Sequence, residues 1–162
     1  MLGRIVGAVR RNHALEHATV SVLLSRLGPD VRLVGRAANN GFYIYGNVSR
    51  RELASAADEA LERMQQGEAH LAVSSLCGTN LALGGVLAGL AAILALGNGD
   101  RWDRLPTVLS SAMLAVVAAQ PLGRLAQKYF TTSPDLADTR IVGLREGGRG
   151  RYVKIETQRL EL

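Results

Sequence analysis

The sequence predicts an α+β membrane protein, in which a small domain of helices and antiparallel sheet is split by a two-helix transmembrane hairpin. Two long uncharged, apolar runs lie in the middle of the chain, and patterns typical of amphipathic helices and β-hairpins lie on both sides of them. The 162 residues are 48% hydrophobic but only 20% charged and 4% aromatic. This composition excludes a disordered chain or a collagen-like repeat, and the single cysteine excludes an internal disulfide.

The transmembrane hairpin is predicted from the absence of charge. No Asp, Glu, Lys or Arg occurs between Glu68 and Asp100, or between Arg104 and Arg124. Since about 20 mainly apolar residues cross the hydrocarbon of a bilayer, we predict a hairpin over residues 77–130 with spans at about 79–98 and 105–127. The alternative is a pair of core helices in a soluble protein, which is less favoured because small domains rarely bury two helices that are apolar all round.

Small residues on both predicted spans indicate how the spans pack. Gly85 and Gly89 are four residues apart on the first span, and Ser110, Ala112 and Ala115 lie on the second. Small residues let helix backbones approach closely in lipid. We expect this stripe to pair the two spans with each other; a homo-oligomer formed through the same stripe is the alternative.

The distribution of basic residues predicts the orientation. The tip of the hairpin carries only Arg101 and Arg104 among the 19 basic residues of the chain. The positive-inside rule then places both termini in the cytoplasm, in a multi-pass protein of the cell's inner membrane. Because the other arginines occur at most in pairs, without interleaved aromatics, we expect no nucleic-acid partner. The expected partners are the lipid bilayer and a protein substrate or binding partner.

The N-terminal part of the cytoplasmic domain is predicted over residues 1–76. A helix is predicted over 4–27, followed by two short strands around the turn Asn39-Asn40-Gly41. The spacing of Ser49 and Glu52 is that of a capping box, which begins a second helix running to about Gln66. Residues 69–75 predict a third strand.

The C-terminal part, residues 131–162, completes this domain. Apolar and polar residues alternate in TRIVGLREG and RYVKIETQ, on either side of Gly147-Gly148-Arg149-Gly150. This pattern predicts a β-hairpin. Because the apolar faces of all these strands need one core, we expect the segments before and after the membrane hairpin to form a single sheet.

One group of residues is a candidate metal-binding or catalytic motif: His13, Glu16 and His17 form the pattern H-x-x-E-H. Two histidines four residues apart on a helix lie on the same face, so their ring nitrogens can converge on one zinc ion. The carboxylate of Glu16 could then take a proton from a metal-bound water.

The position of this motif on the first helix indicates that its polar side chains need hydrogen-bond or metal partners. One stripe of the first helix contains the two histidines among apolar residues, with Glu16 at its margin; its members are Val6, Val9, His13, His17, Val20, Leu24 and Leu27. Buried polar groups require partners. Three interpretations are open: a metal site, a polar core in which a Glu–His pair and a histidine bonded to a backbone carbonyl satisfy one another, and an exposed cluster.

The H-x-x-E-H spacing resembles that of the inverzincin metallopeptidases. The resemblance implies that His13 and His17 bind zinc and that Glu16 is the general base. Inverzincins take a third ligand from a downstream glutamate. The acidic residues at a similar distance, Asp100 and Asp103, are predicted across the membrane, so the chain departs from that pattern. The remaining candidates for the third ligand are Cys77, in the segment CGTN where the domain meets the hairpin, and then His70.

A wider resemblance rests on three segments: RNHALEHAT at residues 11–19, GFYIYG at 41–46 and CGTN at 77–80, ahead of the apolar hairpin. Together they resemble a family of small bacterial membrane proteins classed as a domain of unknown function, found in cyanobacteria and Chloroflexi-type bacteria. The resemblance covers most of the chain and implies no reaction. It implies that the three segments belong to one architecture.

Three functions follow as hypotheses. The first is a zinc-dependent hydrolase at the cytoplasmic membrane surface, most simply a peptidase, with Glu16 as the base. The second is a non-enzymatic membrane scaffold or assembly factor, in which the histidines and Glu16 are structural. The third, weaker hypothesis is that a histidine binds a tetrapyrrole.

Overall fold

The computed structural model describes residues 2–97, 101–148 and 151–160. Within it the chain forms two compact units: Met1–Ser74 with Lys128–Leu162, and Ser75–Gln127. The predicted tip of the hairpin at 98–100, which includes Asp100, lies outside the described residues, as do residues 149–150 of the predicted closing turn.

The first unit contains a four-stranded antiparallel sheet. Its strands are β1 (Leu33–Ala38), β2 (Gly41–Gly46), β3 (Thr139–Gly147) and β4 (Tyr152–Arg159), in the spatial order β1-β2-β4-β3. The two central strands come from opposite ends of the sequence, and Phe42 of β2 lies opposite Ile155 of β4. The prediction that the N- and C-terminal segments share one sheet is confirmed.

Two helices pack with this sheet: α1 (Leu2–Leu27) and α2 (Arg50–Gln65). The predicted capping box begins α2, because the Ser49 hydroxyl accepts the backbone N–H of Glu52 at 3.2 Å and the Glu52 carboxylate accepts the backbone N–H of Ser49 at 3.3 Å. The core between helices and sheet is made by Ala14, Leu15, Ala18, Val22, Leu23, Phe42, Ile44, Leu53, Ala56, Ala57, Ala60, Met64, Leu71, Ala72, Leu136, Val153 and Ile155.

The buried surface of α1 differs from the predicted stripe. Val6 is 50% exposed, whereas Leu15 and Val22 are fully buried in the core. Consecutive residues from Ala14 to Thr19 are all buried, so the middle of α1 is covered on several sides at once. His17 lies within this buried stretch, whereas His13, one residue before it, is only partly buried.

The strand predicted over residues 69–75 is wrong. Ala69–Ala72 form a 3₁₀ helix, in which the N–H of Leu71 donates to the carbonyl of Glu68 at 3.1 Å. Leu71 and Ala72 are adjacent and both buried, which a strand with alternating faces does not allow. The segment is a tight turn beneath α1, reached from α2 through Gly67, whose φ of 100° suits glycine.

The second unit contains α3 (Gly78–Leu96) and α4 (Arg101–Ala126), and a short π-helical turn, Gln127–Thr131, follows α4. Both helices are long and apolar enough to cross a membrane. Only 11% of the most apolar window of α3 and 6% of that of Trp102–Thr131 are buried, whereas a core helix of a soluble protein would be mostly buried.

The two helices of this unit meet through residues other than those predicted. Gln127 donates a buried hydrogen bond of 2.8 Å to the side-chain oxygen of Asn80, and Gly84 lies close to Ala119. The prediction that Gly85 and Gly89 mediate the contact is wrong: among the described residues, nothing outside their own helix lies within 4 Å of a Cβ built at either position. The contact is made instead by the hydrogen bond between Gln127 and Asn80 and by Gly84, which is one residue before Gly85.

Candidate metal centre

The first unit brings His13 and His17 together on α1. Their ring centroids lie 4.4 Å apart with an interplanar angle of 60°, and one ring nitrogen of each lies within 4.8 Å of the other. The His17 side chain is 4% exposed and that of His13 is 18% exposed. This geometry follows directly from the spacing of four residues on a helix.

Backbone carbonyls fix both imidazole rings. Nδ1 of His13 lies 2.9 Å from the carbonyl oxygen of Thr131, and Nδ1 of His17 lies 2.8 Å from that of Ala72. Since a carbonyl oxygen only accepts, Nδ1 carries the proton in each ring. In the neutral tautomer, Nε2 of each ring then bears the lone pair that can bind a metal.

Glu16 lies beside both Nε2 atoms. Its Oε2 is 3.9 Å from Nε2 of His13 and 3.8 Å from Nε2 of His17. Both separations exceed a hydrogen bond and are close to the spacing of donor atoms around one cation. The Glu16 side chain is 9% exposed, so the three groups form a partly enclosed set of two imidazoles and one carboxylate.

Gly35 of β1 provides the space for Glu16. A Cβ built at Gly35 would lie 2.7 Å from Cγ of Glu16 and closer still to its carboxylate. Sequence reasoning missed this residue. The available signal was an isolated glycine inside a strand pattern, which often marks the close approach of another group.

The carbonyl of Thr131 is held against α1 by further hydrogen bonds. The Arg10 guanidinium donates to the carbonyls of Tyr129 at 2.9 Å and Thr132 at 3.0 Å, and the backbone N–H of Ser133 donates to the Arg10 carbonyl at 3.0 Å. These bonds connect residues of α1 to a segment more than a hundred positions later, so sequence reasoning could not have found them.

Asn12 fixes α1 on the sheet next to the histidines. Its side-chain N–H₂ donates to the carbonyl of Ala38 at 2.8 Å, and its side-chain oxygen accepts from the Thr157 hydroxyl at 2.6 Å. Asn12 is thereby bonded to β1 and β4 and is 3% exposed. It orients the turn of α1 that carries His13 and Glu16.

The two candidates for a third ligand lie in different surroundings. His70 is on the 3₁₀ turn with its side chain 73% exposed, and its Nε2 lies 3.9 Å from the Glu68 carboxylate. Cys77 belongs to the second unit and is buried, where it caps α3: its Sγ accepts the backbone N–H of Thr79 at 3.4 Å. Of the two, Cys77 has the enclosed environment of a structural or catalytic ligand.

Fold and site together define a class: a mixed helix and antiparallel-sheet protein that carries a candidate metal-binding histidine pair and two helices able to span a membrane. The chain belongs to the family described as "Domain of unknown function (DUF6391)", whose model matches residues 8–144. It is 36% identical over 135 residues to an uncharacterized protein of Picosynechococcus sp., an alignment that covers 77% of this chain and 66% of that relative. The chain thus matches slightly less than two thirds of the relative's length. No solved structure matches the chain significantly.

Proposed function

We propose that this protein binds one zinc ion through Nε2 of His13 and Nε2 of His17. The observation that carries the proposal is the hydrogen bonding of the two rings: each Nδ1 donates to a backbone carbonyl, which directs the opposite nitrogen toward the shared space beside Glu16. Metal-ligating histidines in proteins are oriented in this way, by an outer hydrogen bond that fixes tautomer and ring direction.

Cys77 is the third ligand of the proposed site. A thiolate is a strong zinc ligand, and Cys77 is the only cysteine of the chain. Cys77 lies five residues after Ala72, and the carbonyl of Ala72 is bonded to His17. A chain of five residues spans at most about 18 Å, which limits how far Cys77 can lie from Ala72. His70 is the less favoured ligand because its side chain is exposed on the surface of the turn.

The proposed reaction is hydrolysis, most simply of a peptide bond. A zinc ion held by these residues would supply Lewis acidity that activates a water. The Glu16 carboxylate, held between the histidines and Gly35, would be the base that accepts a proton from the attacking water and then donates it to the leaving amine. Burial of Glu16 keeps its carboxylate in one position, which general-base catalysis requires.

The proposed location is a bacterial inner membrane, with α3 and α4 as spans and both termini in the cytoplasm. The support is the exposure of large apolar side chains on these helices: Leu81 and Leu94 of α3 are each 81% exposed and Met113 of α4 is 71% exposed. Such surface is stable in lipid and costly in water. The proposed substrate is a protein segment at the cytoplasmic surface of that membrane.

The first experiment is elemental analysis of the full chain purified in detergent. We expect one zinc per chain in the unaltered protein and none in the double variant His13→Ala/His17→Ala. The matched control is His70→Ala, which also removes an imidazole but should keep the zinc. Full zinc occupancy in the double variant, with the fold retained by circular dichroism, would remove the proposal.

A second measurement separates a catalytic from a structural zinc site. Cobalt replaces zinc, and acetohydroxamate is added while the visible spectrum is recorded. A catalytic site keeps an open coordination position, so the d–d bands should shift; a closed four-ligand site would leave them unchanged. Glu16→Gln should retain cobalt and the spectral response but lose hydrolysis of fluorescein-labelled casein.

A non-enzymatic scaffold is the second candidate function, favoured by the same carbonyl bonds. The rings of His13 and His17 already connect α1 to the segments around Thr131 and Ala72, which is a structural role in itself. If this alternative holds, the double histidine variant should lose stability but contain no less metal than the unaltered protein. Glu16→Gln should then change stability without loss of function.

A further inference from the structure

One edge of the sheet in the first unit has backbone groups that point away from the sheet. β1 and β3 are the two edge strands, since the spatial order is β1-β2-β4-β3. The short turn between β1 and β2 makes Ala38 and Gly41 a hydrogen-bonded pair. Such pairs alternate along an antiparallel ladder, so the backbone N–H and C=O groups of Leu33, Gly35 and Ala37 point away from β2.

These outward groups of β1 have no partner within the described residues. In that part of the chain no backbone hydrogen bond joins β1 to a segment outside the sheet. The side-chain bond from Asn12 goes to the carbonyl of Ala38, at the end of the strand. A row of unpaired N–H and C=O groups can take up a further strand through main-chain hydrogen bonds.

The edge formed by β3 is protected. The outward carbonyl of Leu144 accepts from the Arg50 guanidinium at 2.9 Å, and that of Thr139 accepts from the Gln65 side chain at 3.1 Å. A register shift also interrupts the pairing of β3 with β4. Occupied carbonyls and irregular pairing both hinder the addition of another strand. β1 instead pairs with β2 in unbroken register along its whole length, so β1 is the edge that can be extended.

The side chains of Val34 and Arg36 set the chemistry of a strand added at β1. Both lie on the sheet face opposite α1, because Gly35 between them faces Glu16 of that helix. Val34 is 65% exposed, and Arg36 is also exposed. A neighbouring strand places its own side chains directly opposite these two, where they interact across the strands.

The charge of Arg36 is not paired. Its guanidinium makes no ion pair or hydrogen bond with any residue that the structure describes, and β1 contains no acidic residue. Glu156 on the same face is separated from β1 by β2, and it lies 3.2 Å from the Arg145 guanidinium and 3.3 Å from the Lys154 ammonium. A carboxylate on an added strand, opposite Arg36, would therefore supply the missing counter-charge.

We propose that β1 binds an extended segment of a partner protein as a fifth, antiparallel strand. The segment carries an acidic residue opposite Arg36 and, two positions later, an apolar residue opposite Val34. The antiparallel direction is favoured because its pairing is the more stable per residue. A second copy of this chain, docked β1 to β1, would offer Arg36 no carboxylate. The proposal does not depend on the zinc site.

The experiment measures binding of a labelled peptide to the full chain in detergent micelles by fluorescence anisotropy. The probe is fluorescein-Thr-Glu-Thr-Val-Thr-amide, whose glutamate and valine have the required spacing. We expect saturable binding, and replacement of the glutamate by lysine should weaken it roughly tenfold, as the loss of a charge-assisted contact does. Arg36→Glu should reverse the preference between the two peptides. Arg145→Glu is the matched control on β3: it changes the net charge equally and should keep the preference for the glutamate peptide.

Backbone methylation of the peptide separates strand addition from attraction between charges. In the proposed register the N–H of the central threonine points toward β1, and that of the glutamate points away from it. N-methylation of the central threonine should abolish binding. N-methylation of the glutamate should weaken binding by at most about twofold, because this N–H makes no bond in that register.

Hydrogen exchange followed by mass spectrometry locates the bound peptide, which should protect residues 33–38 and leave residues 139–147 unchanged. Equal weakening by the two methylations, an unchanged peptide preference in Arg36→Glu, or no added protection of β1 would each overturn the proposal. A dimer in sedimentation equilibrium, with β1 protected before any peptide is added, would also overturn it and would assign this edge to a second copy of the chain.

Discussion

Substitution of Gly35 by alanine tests the placement of Glu16 most directly. The new Cβ would lie 2.7 Å from Cγ of Glu16, whereas two carbon atoms in contact lie about 3.5–4.0 Å apart. Cγ must therefore move by roughly 0.8 Å, and the carboxylate, which lies closer, by more. Gly35 is not one of the described glycines that have a positive φ. The main cost of the alanine substitution is therefore the clash with Glu16 and not backbone strain.

The expected destabilisation is about 1–3 kcal/mol, the usual cost of forcing an extra carbon into a packed site. For a chain of this size that corresponds to a fall in Tm of about 2–12 °C in a thermal unfolding scan. If Glu16 is the base, a displacement near 1 Å would also lower hydrolysis roughly a hundredfold while zinc is retained.

Gly143→Ala is the matched control for Gly35→Ala. Gly143 lies on β3, the other edge strand, and a Cβ built there would meet its nearest neighbour, the Glu156 carboxylate, at an ordinary 3.7 Å. Its stability should rise slightly or stay unchanged. The double variant Glu16→Ala/Gly35→Ala should be no less stable than Glu16→Ala alone, because the shortened side chain removes the clash. Strictly additive effects of the two substitutions would refute the contact.

Two further predictions concern the other unit and the surface. Gly123→Ala should lower the Tm in nanodiscs by several degrees, because its Cβ would lie 2.9 Å from Cγ of Asn80 and break the buried hydrogen bond between Asn80 of α3 and Gln127 of the turn after α4; Gly85→Ala, where the position is open, should not. Hydrogen bonding from Arg63 lowers the pKa of the Glu68 carboxyl below its ordinary 4.5. The stabilisation from this pair is present above pH 4.5 and is lost as pH falls through the folded-state pKa, so Glu68→Gln should lower the Tm at pH 7 and lose that effect in acid.

The sequence predicted the elements whose signals are local. The turn Asn39-Asn40-Gly41 predicted a hairpin of two short strands, and β1 and β2 lie on either side of Asn39-Asn40, with Gly41 as the first residue of β2 at a φ of 136° that other residues rarely adopt. The capping box at Ser49 gave the start of α2. The 3₁₀ turn at Ala69–Ala72 could not be predicted, because alternation over a few residues does not separate a strand from a buried tight turn.

The candidate site was only partly predictable. The spacing of His13, Glu16 and His17 predicted that the three side chains share one region of α1, as the structure shows. The groups that orient them were not predictable, because they are the carbonyl oxygens of Thr131 and Ala72. Any residue type supplies a backbone carbonyl, so sequence carries no signal for such a partner.

The positions of the Ala72 and Thr131 carbonyls in the chain suggest a structural reason for α1 to bind a metal. Ala72 lies three residues before the second unit begins and Thr131 four residues after it ends, so each histidine is bonded to one of the two connections between the units. A cation on both Nε2 atoms would polarise the rings and strengthen both Nδ1–H hydrogen bonds. Zinc would thus stabilise the two connections as well as supply chemistry, and the zinc-free protein should lose protection from amide exchange at residues 72–74 and 131–133 before the strands of the sheet do. Uniform loss of protection across the first unit would instead mean that the histidine pair acts on the whole domain and not on these connections.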